Sequence, residues 1–145
     1  MRDRTKEPTK VYVCSPYRTV SDDSEECKRE QEVNRERVIK ACKLLTLCGY
    51  MPMAPHAYFT QFLSDEDPEE REEGMQLGIE WLSMCDELWT FGDRISEGMQ
   101  AEMDFAAANF IRIHRMPEPD ELAAKLYNGL KKQFGTNERE DLNHE

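Results

Sequence analysis

The sequence predicts an α/β domain: a four- to five-stranded, mostly parallel sheet with helices on both faces, in a three-layer Rossmann-like or flavodoxin-like arrangement. Three observations predict it. Short β-branched or aromatic runs alternate with longer amphipathic segments along the whole chain, and strands separated by helices pair in parallel. Helix boundaries are marked where the pattern changes, by Asp67-Pro68 and Ser96 at starts and by Gly49 at an end. The 145 residues, 39% of them hydrophobic, suffice for one compact core and are too few for two.

Residues 1–9 are polar and are expected to form a flexible N-terminus. Residues 10–14, Lys-Val-Tyr-Val-Cys, read as the first strand, and Ser15-Pro16-Tyr17-Arg18 breaks it into a loop. A long helix is expected over residues 24–48, because Val33, Val38, Ala41, Leu44, Leu45 and Cys48 keep the three-and-four spacing of a buried stripe. Gly49 closes it, and residues 50–54 form the second strand. Residues 55–67 are expected as a loop carrying His56, Tyr58 and Phe59. The next helix runs from Asp67-Pro68 to about residue 84, with Met75, Ile79 and Leu82 on one face. Residues 86–91 form the third strand, and residues 96–109 a helix burying Met99, Met103, Phe105 and Ala106. A fourth strand is expected at residues 110–113 and a last helix at 118–134. One domain thus spans residues 10–135, with a flexible polar tail at 136–145.

Composition narrows the partners. A net charge of −11 argues against a nucleic-acid polymer, which needs a basic face. It leaves room for a small phosphorylated molecule, which needs one or two local cations. No run reaches the ~18 apolar residues of a membrane span, and Met1-Arg2-Asp3-Arg4 lacks the apolar core of a leader. A cytoplasmic protein with no membrane partner is expected. Cys14, Cys27, Cys42, Cys48 and Cys85 are odd in number and contain no CxxC pair, the pattern of reduced thiols. The acidic residues from Asp65 to Glu73 read as a charged loop and an acidic first helical turn rather than a metal site. Neither a metal nor another cofactor is expected.

The stretch that carries chemistry is Arg94-Ile95-Ser96-Glu97-Gly98-Met99-Gln100-Ala101-Glu102. Ser96 is a good N-cap, Gly98 permits close approach, and the helix start offers unpaired amides to an anion. Arg94 adds a cation beside that start. Glu102 lies about 9 Å further along the axis at ~1.5 Å per residue. A phosphate and a carboxylate can therefore grip opposite ends of one sugar. In parallel sheets ligands bind beyond the carboxyl ends of the strands. Residues 14–18, 55–56 and 92–96 occupy three such ends here.

The segments Val11-Tyr12-Val13-Cys14-Ser15-Pro16-Tyr17-Arg18, Gly49-Tyr50-Met51-Pro52-Met53-Ala54-Pro55-His56, Trp81-Leu82-Ser83-Met84-Cys85-Asp86 and Ser96-Glu97-Gly98 with Glu102 resemble, in order, the nucleoside 2-deoxyribosyltransferase-like superfamily. The nearest likeness is to small members and to the deoxynucleoside 5′-monophosphate N-glycosidase branch. The resemblance implies cleavage or exchange of an N-glycosidic bond through a covalent glycosyl-glutamate. It makes Glu102 the nucleophile and Tyr12 the residue that orients it. Ser15, Arg18, His56, Arg94, Ser96 and Gly98 complete the expected substrate-binding set, with Arg18 and Ser96 on the 5′-phosphate. His56 reads equally as a ligand contact or as an ordinary loop histidine. The resemblance also implies a homo-oligomer, because relatives complete their pockets with a neighbouring subunit. One position departs from the superfamily: an aspartate is usual three residues before Trp81, and here that residue is Gly78. The alternative reading is a non-catalytic nucleotide-binding or sensing module of the same fold.

Overall fold

The computed structural model describes residues 2–17 and 23–143, with residues 132–143 by backbone alone. Its strands β1 (Lys10–Cys14), β2 (Met51–Met53), β3 (Glu87–Phe91) and β4 (Arg112–Met116) form one parallel sheet in the order β2-β1-β3-β4. The helices are α1 (Ser24–Leu47), α2 (Pro55–Phe59), α3 (Pro68–Ser83), α4 (Glu97–Ala108) and α5 (Pro119–Asn143). Tyr12 stands opposite Met53 on one side and Leu88 on the other.

Strand alternation assigns the layers. Tyr12, Cys14 and Leu88 point to one face and pack with Leu82, Met99, Met103 and Ala106, the inner residues of α3 and α4. Val11, Val13 and Phe91 point to the other and pack with Ala41 and Leu45 of α1 and Leu122 of α5. Each such side chain taken fully out of water contributes about 1.5–3 kcal/mol. The three-layer α/β arrangement follows. Connections leave β1 and β3 in opposite senses, toward β2 and toward β4. The crevice beyond their carboxyl ends is therefore the switch point where ligands settle in such sheets.

The differences from expectation have local causes. Residues 55–59, expected as loop, are α2: Pro55 presets the first helical turn, and Thr60 Oγ1 donates back to His56 O at 2.5 Å. Five residues are too few to display a helical period. The fourth strand begins at Arg112, two residues later than expected, because α4 ends in a Schellman turn. Ile111 N donates to Ala106 O at 2.8 Å, and Phe110 takes the left-handed conformation (φ 59°) with its ring 99% exposed. In α1 the buried residues are Asn34, Val38, Ala41 and Leu45, whereas Val33 and Cys48 are exposed. Asn34 replaces Val33 on the inner face because its amide donates to Tyr17 O at 3.2 Å and its oxygen accepts from Arg37 at 2.8 Å. Met75 is exposed as well. The last helix continues beyond residue 134 to Asn143. Gly135 keeps its amide donor, so it weakens a helix without ending it.

Candidate functional site

Three elements bring Tyr12, His56 and Glu102 together. Tyr12 is on the central strand β1 and is 1% exposed. His56 is in the first turn of α2, held there by the Pro55 start. Glu102 follows Met99 by three residues on α4 and so shares the inward face of that helix with Met99, Met103 and Ala106. His56 Nε2 lies 3.1 Å from Glu102 Oε1. Their side chains are 26% and 13% exposed, so the acid faces inward and the pair sits at the mouth of the crevice. The Tyr12 ring meets the imidazole edge-on (6.3 Å, 81°), and Tyr17 stacks on it (5.7 Å, 18°).

Glu102 Oε2 is buried and has no hydrogen-bond partner among the described residues. A buried carboxylate oxygen without such a partner costs free energy in a folded protein, and the Tyr12 phenol and Cys14 thiol are the groups closest in influence to this carboxylate. Ser15 Oγ, at the end of β1, is also buried and unpartnered among the described residues. Burial first, and then the Glu102 carboxylate, hold the Tyr12 phenol well above its ordinary range, so it keeps its proton. The same two influences raise the Cys14 thiol far up. For His56, burial is the largest influence and opposes its charge. The Glu102 carboxylate, by contact and by charge, and then Asp65 outweigh it, and the imidazole stays protonated to a higher pH than usual.

The remaining expected residues are distributed as follows. Ser96 caps α4, its Oγ accepting from Met99 N at 3.2 Å. A Cβ built at Gly98 would meet only Ser96 Oγ, at 4.0 Å, so the start of α4 is open to an incoming group. Arg94 is exposed and opens on a groove of about 620 Å³ shared with Arg29 and Arg37 of α1, rather than onto Glu102. Arg18 lies outside the described residues. Tyr17, Cys14 and Asp65 were not expected at the site. The alternation of β1, which puts Cys14 on the Tyr12 face, is the signal that finds the thiol. The stack of Tyr17 on His56 depends on a loop path that no periodicity encodes.

Among the described residues no His, Cys, Asp and Glu cluster is placed to hold a metal. No described helix is long and apolar enough to cross a membrane. Cys14, Cys42, Cys48 and Cys85 are free thiols.

The four-stranded parallel sheet with helices on both faces is the fold of a nucleoside 2-deoxyribosyltransferase. The 2-deoxyribosyltransferase of Bacillus psychrosaccharolyticus superposes with a TM-score of 0.55 at 18% identity, covering 75% of this chain and 72% of that one. The CMP N-glycosidase BcmB of Clostridium botulinum superposes with a TM-score of 0.48 at 14% identity, over 81% of this chain and 98% of that one. No curated protein matches the sequence. The chain belongs to the family described as "Domain of unknown function (DUF7768)", whose model matches residues 9–116.

Proposed function

We propose that this protein cleaves or exchanges the N-glycosidic bond of a (deoxy)nucleoside or nucleoside 5′-monophosphate, with Glu102 as the nucleophile. The observation that carries the proposal is the inward-facing carboxylate of Glu102, with Oε1 3.1 Å from His56 Nε2 and Oε2 buried without a hydrogen-bond partner among the described residues. The ion pair fixes one carboxylate oxygen and leaves the other to attack the anomeric carbon. Carboxylates perform this step in glycosyl cleavage. Tyr12, kept neutral, orients the carboxylate from the sheet side. Ser15 Oγ offers a hydrogen bond to the sugar or its phosphate. The open start of α4, with Ser96 and Gly98, receives the phosphate on unpaired amides. Arg18 belongs to the same phosphate contact, as the resemblance implies, and Arg94 lies further out on the groove along α1. The superposed 2-deoxyribosyltransferase supports the reading through its fold.

The experiment is incubation of the full chain with nucleosides and nucleoside 5′-monophosphates, followed by chromatography of the released base. Release is expected from the protein and not from Glu102→Gln. Silence with every substrate removes the enzymatic reading. A binding module is favoured by one observation, the absence of a side chain at Gly78 above Tyr12. Thermal stabilisation by nucleotides that survives Glu102→Gln, without base release, supports that second reading. The homo-oligomer is tested by light scattering of the purified protein.

A further inference from the structure

Departure of a base from a sugar needs two things, a nucleophile on one side and somewhere for the bonding electrons to go on the other. Glu102 supplies the first. For a neutral purine or pyrimidine, the second is a proton delivered to the departing ring, which otherwise leaves as an anion. Among the described residues, the groups around Glu102 do not supply it. Burial raises the Tyr12 phenol and the Cys14 thiol, which makes both poor proton donors. The proton of His56 is engaged by Glu102 itself, on the nucleophile's side.

Helix α3 covers the same face of the sheet, and its buried Gly78 faces the phenol. A Cβ built at Gly78 would meet Tyr12 Oη at 3.8 Å and Pro55 Cγ at 4.0 Å. Position 78 therefore looks into the site and presents nothing to it. Glu72, Glu73 and Glu80 of the same helix are exposed. Asp86 is occupied at the opposite end of β1, where its Oδ2 accepts from Lys10 N at 2.8 Å. Asp65, the other carboxylate that His56 senses, is exposed on the loop between α2 and α3. Among the described residues, then, the site has a nucleophile and negative charge but no acid committed to the leaving group.

From Gly78 facing Tyr12, and from Glu102 having no acid committed to the leaving group among the described residues, we infer that the substrates of this site are N-glycosides of a positively charged, pyridinium-type base. The inference rests on the glycosyl-transfer reading above and names its substrate class. A lone pair of Glu102 Oε2 forms the bond to C1′. The C1′–N bond breaks, its electron pair returns to the ring nitrogen, and the ring leaves as a neutral pyridine without needing a proton. Water then attacks C1′ of the glycosyl ester, frees the carboxylate and gives its proton to solvent. Each turnover converts a cationic glycoside and water into a neutral base, a sugar and one proton. The surroundings suit such a ring. Glu102 and Asp65 set two carboxylates against the single imidazole of His56, a balance that attracts a cationic ring, and Tyr17, stacked on His56, adds an aromatic surface beside them.

The test compares nicotinamide riboside 5′-phosphate with CMP, AMP and their deoxy forms, using the full chain and Glu102→Gln, with base release read by chromatography and proton release by a pH indicator. The expected result is release of nicotinamide at least about 10²-fold faster than release of any neutral base, in step with one proton, and lost in Glu102→Gln. Neutral bases released as fast as nicotinamide would overturn the substrate class and leave the proposed glycosyl transfer standing. No base from any substrate, or nicotinamide release undiminished in Glu102→Gln, would overturn both. Gly78→Asp, which returns an acid to the empty position, is expected to raise neutral-base release at least tenfold relative to nicotinamide, on the order of what general acids contribute. An unchanged ratio in the folded variant argues against the inference. If that variant does not fold, the wild-type ratio decides alone.

Discussion

Replacing His56 with glutamine removes a charge while keeping a hydrogen-bonding side chain of similar reach. At 3.1 Å and an effective dielectric constant of ~20, the attraction between His56 and Glu102 is about 5 kcal/mol. Desolvation of both groups takes back most of that, and partial exposure of 26% and 13% screens more. A net contribution of about 1–3 kcal/mol remains, the range for a hydrogen bond to a charged group. The pH dependence follows from the direction of the shift. The imidazole pKa is raised in the folded protein, so the stabilisation is fully present below the unfolded value of ~6.5. It is lost as the pH rises through the higher folded value. Urea unfolding is therefore expected to show His56→Gln costing about 1–3 kcal/mol near pH ~5.5 and much less near pH ~9. Glu102→Gln is expected to flatten the same pH dependence. A cost of equal size at both pH values, or a dependence that survives Glu102→Gln, would refute the pairing.

Two further substitutions test the framework that holds the site. Phe110 occupies a left-handed position with its ring in solvent, so Phe110→Gly is expected to raise stability by about 0.5–1 kcal/mol in chemical denaturation. A loss would show that the exposed ring makes contacts the fold needs. Gly92 has φ +90°, and a Cβ there would stand 2.7 Å from Oε1 of Glu118, whose Oε2 accepts from Arg37 Nε at 2.7 Å. Gly92→Ala is accordingly expected to cost about 1–2 kcal/mol in a thermal melt, and an unchanged melt would contradict the strain.

The two strands that build the site are the ones the sequence states most plainly. β1 and β3 are short β-branched and aromatic runs bounded by Pro16 and Gly92, and both appear where the pattern puts them. Ser96 and Asp67 announce α4 and α3 because a cap is a local hydrogen bond, written in residues two or three apart. The position of Glu102 facing inward follows from the same reasoning, since Met99 and Met103 fix which face of α4 is buried. His56 was ambiguous because its role depends on α2, a five-residue helix with no side-chain cap. Asn34 was invisible for a related reason: a polar residue enters the core only where tertiary partners, here Tyr17 and Arg37, satisfy it. Phe110 misled the strand boundary, because an aromatic after a helix reads as the first residue of a strand rather than as a left-handed turn.

The nucleophilic role of Glu102 is tested by intact-protein mass spectrometry during turnover, quenched in acid and mapped to peptides. A sugar-sized increment on the peptide containing Glu102, absent from Glu102→Gln together with base release, is the expected result. Base release that continues unchanged in Glu102→Gln, with no sugar ever found on that peptide, would contradict it.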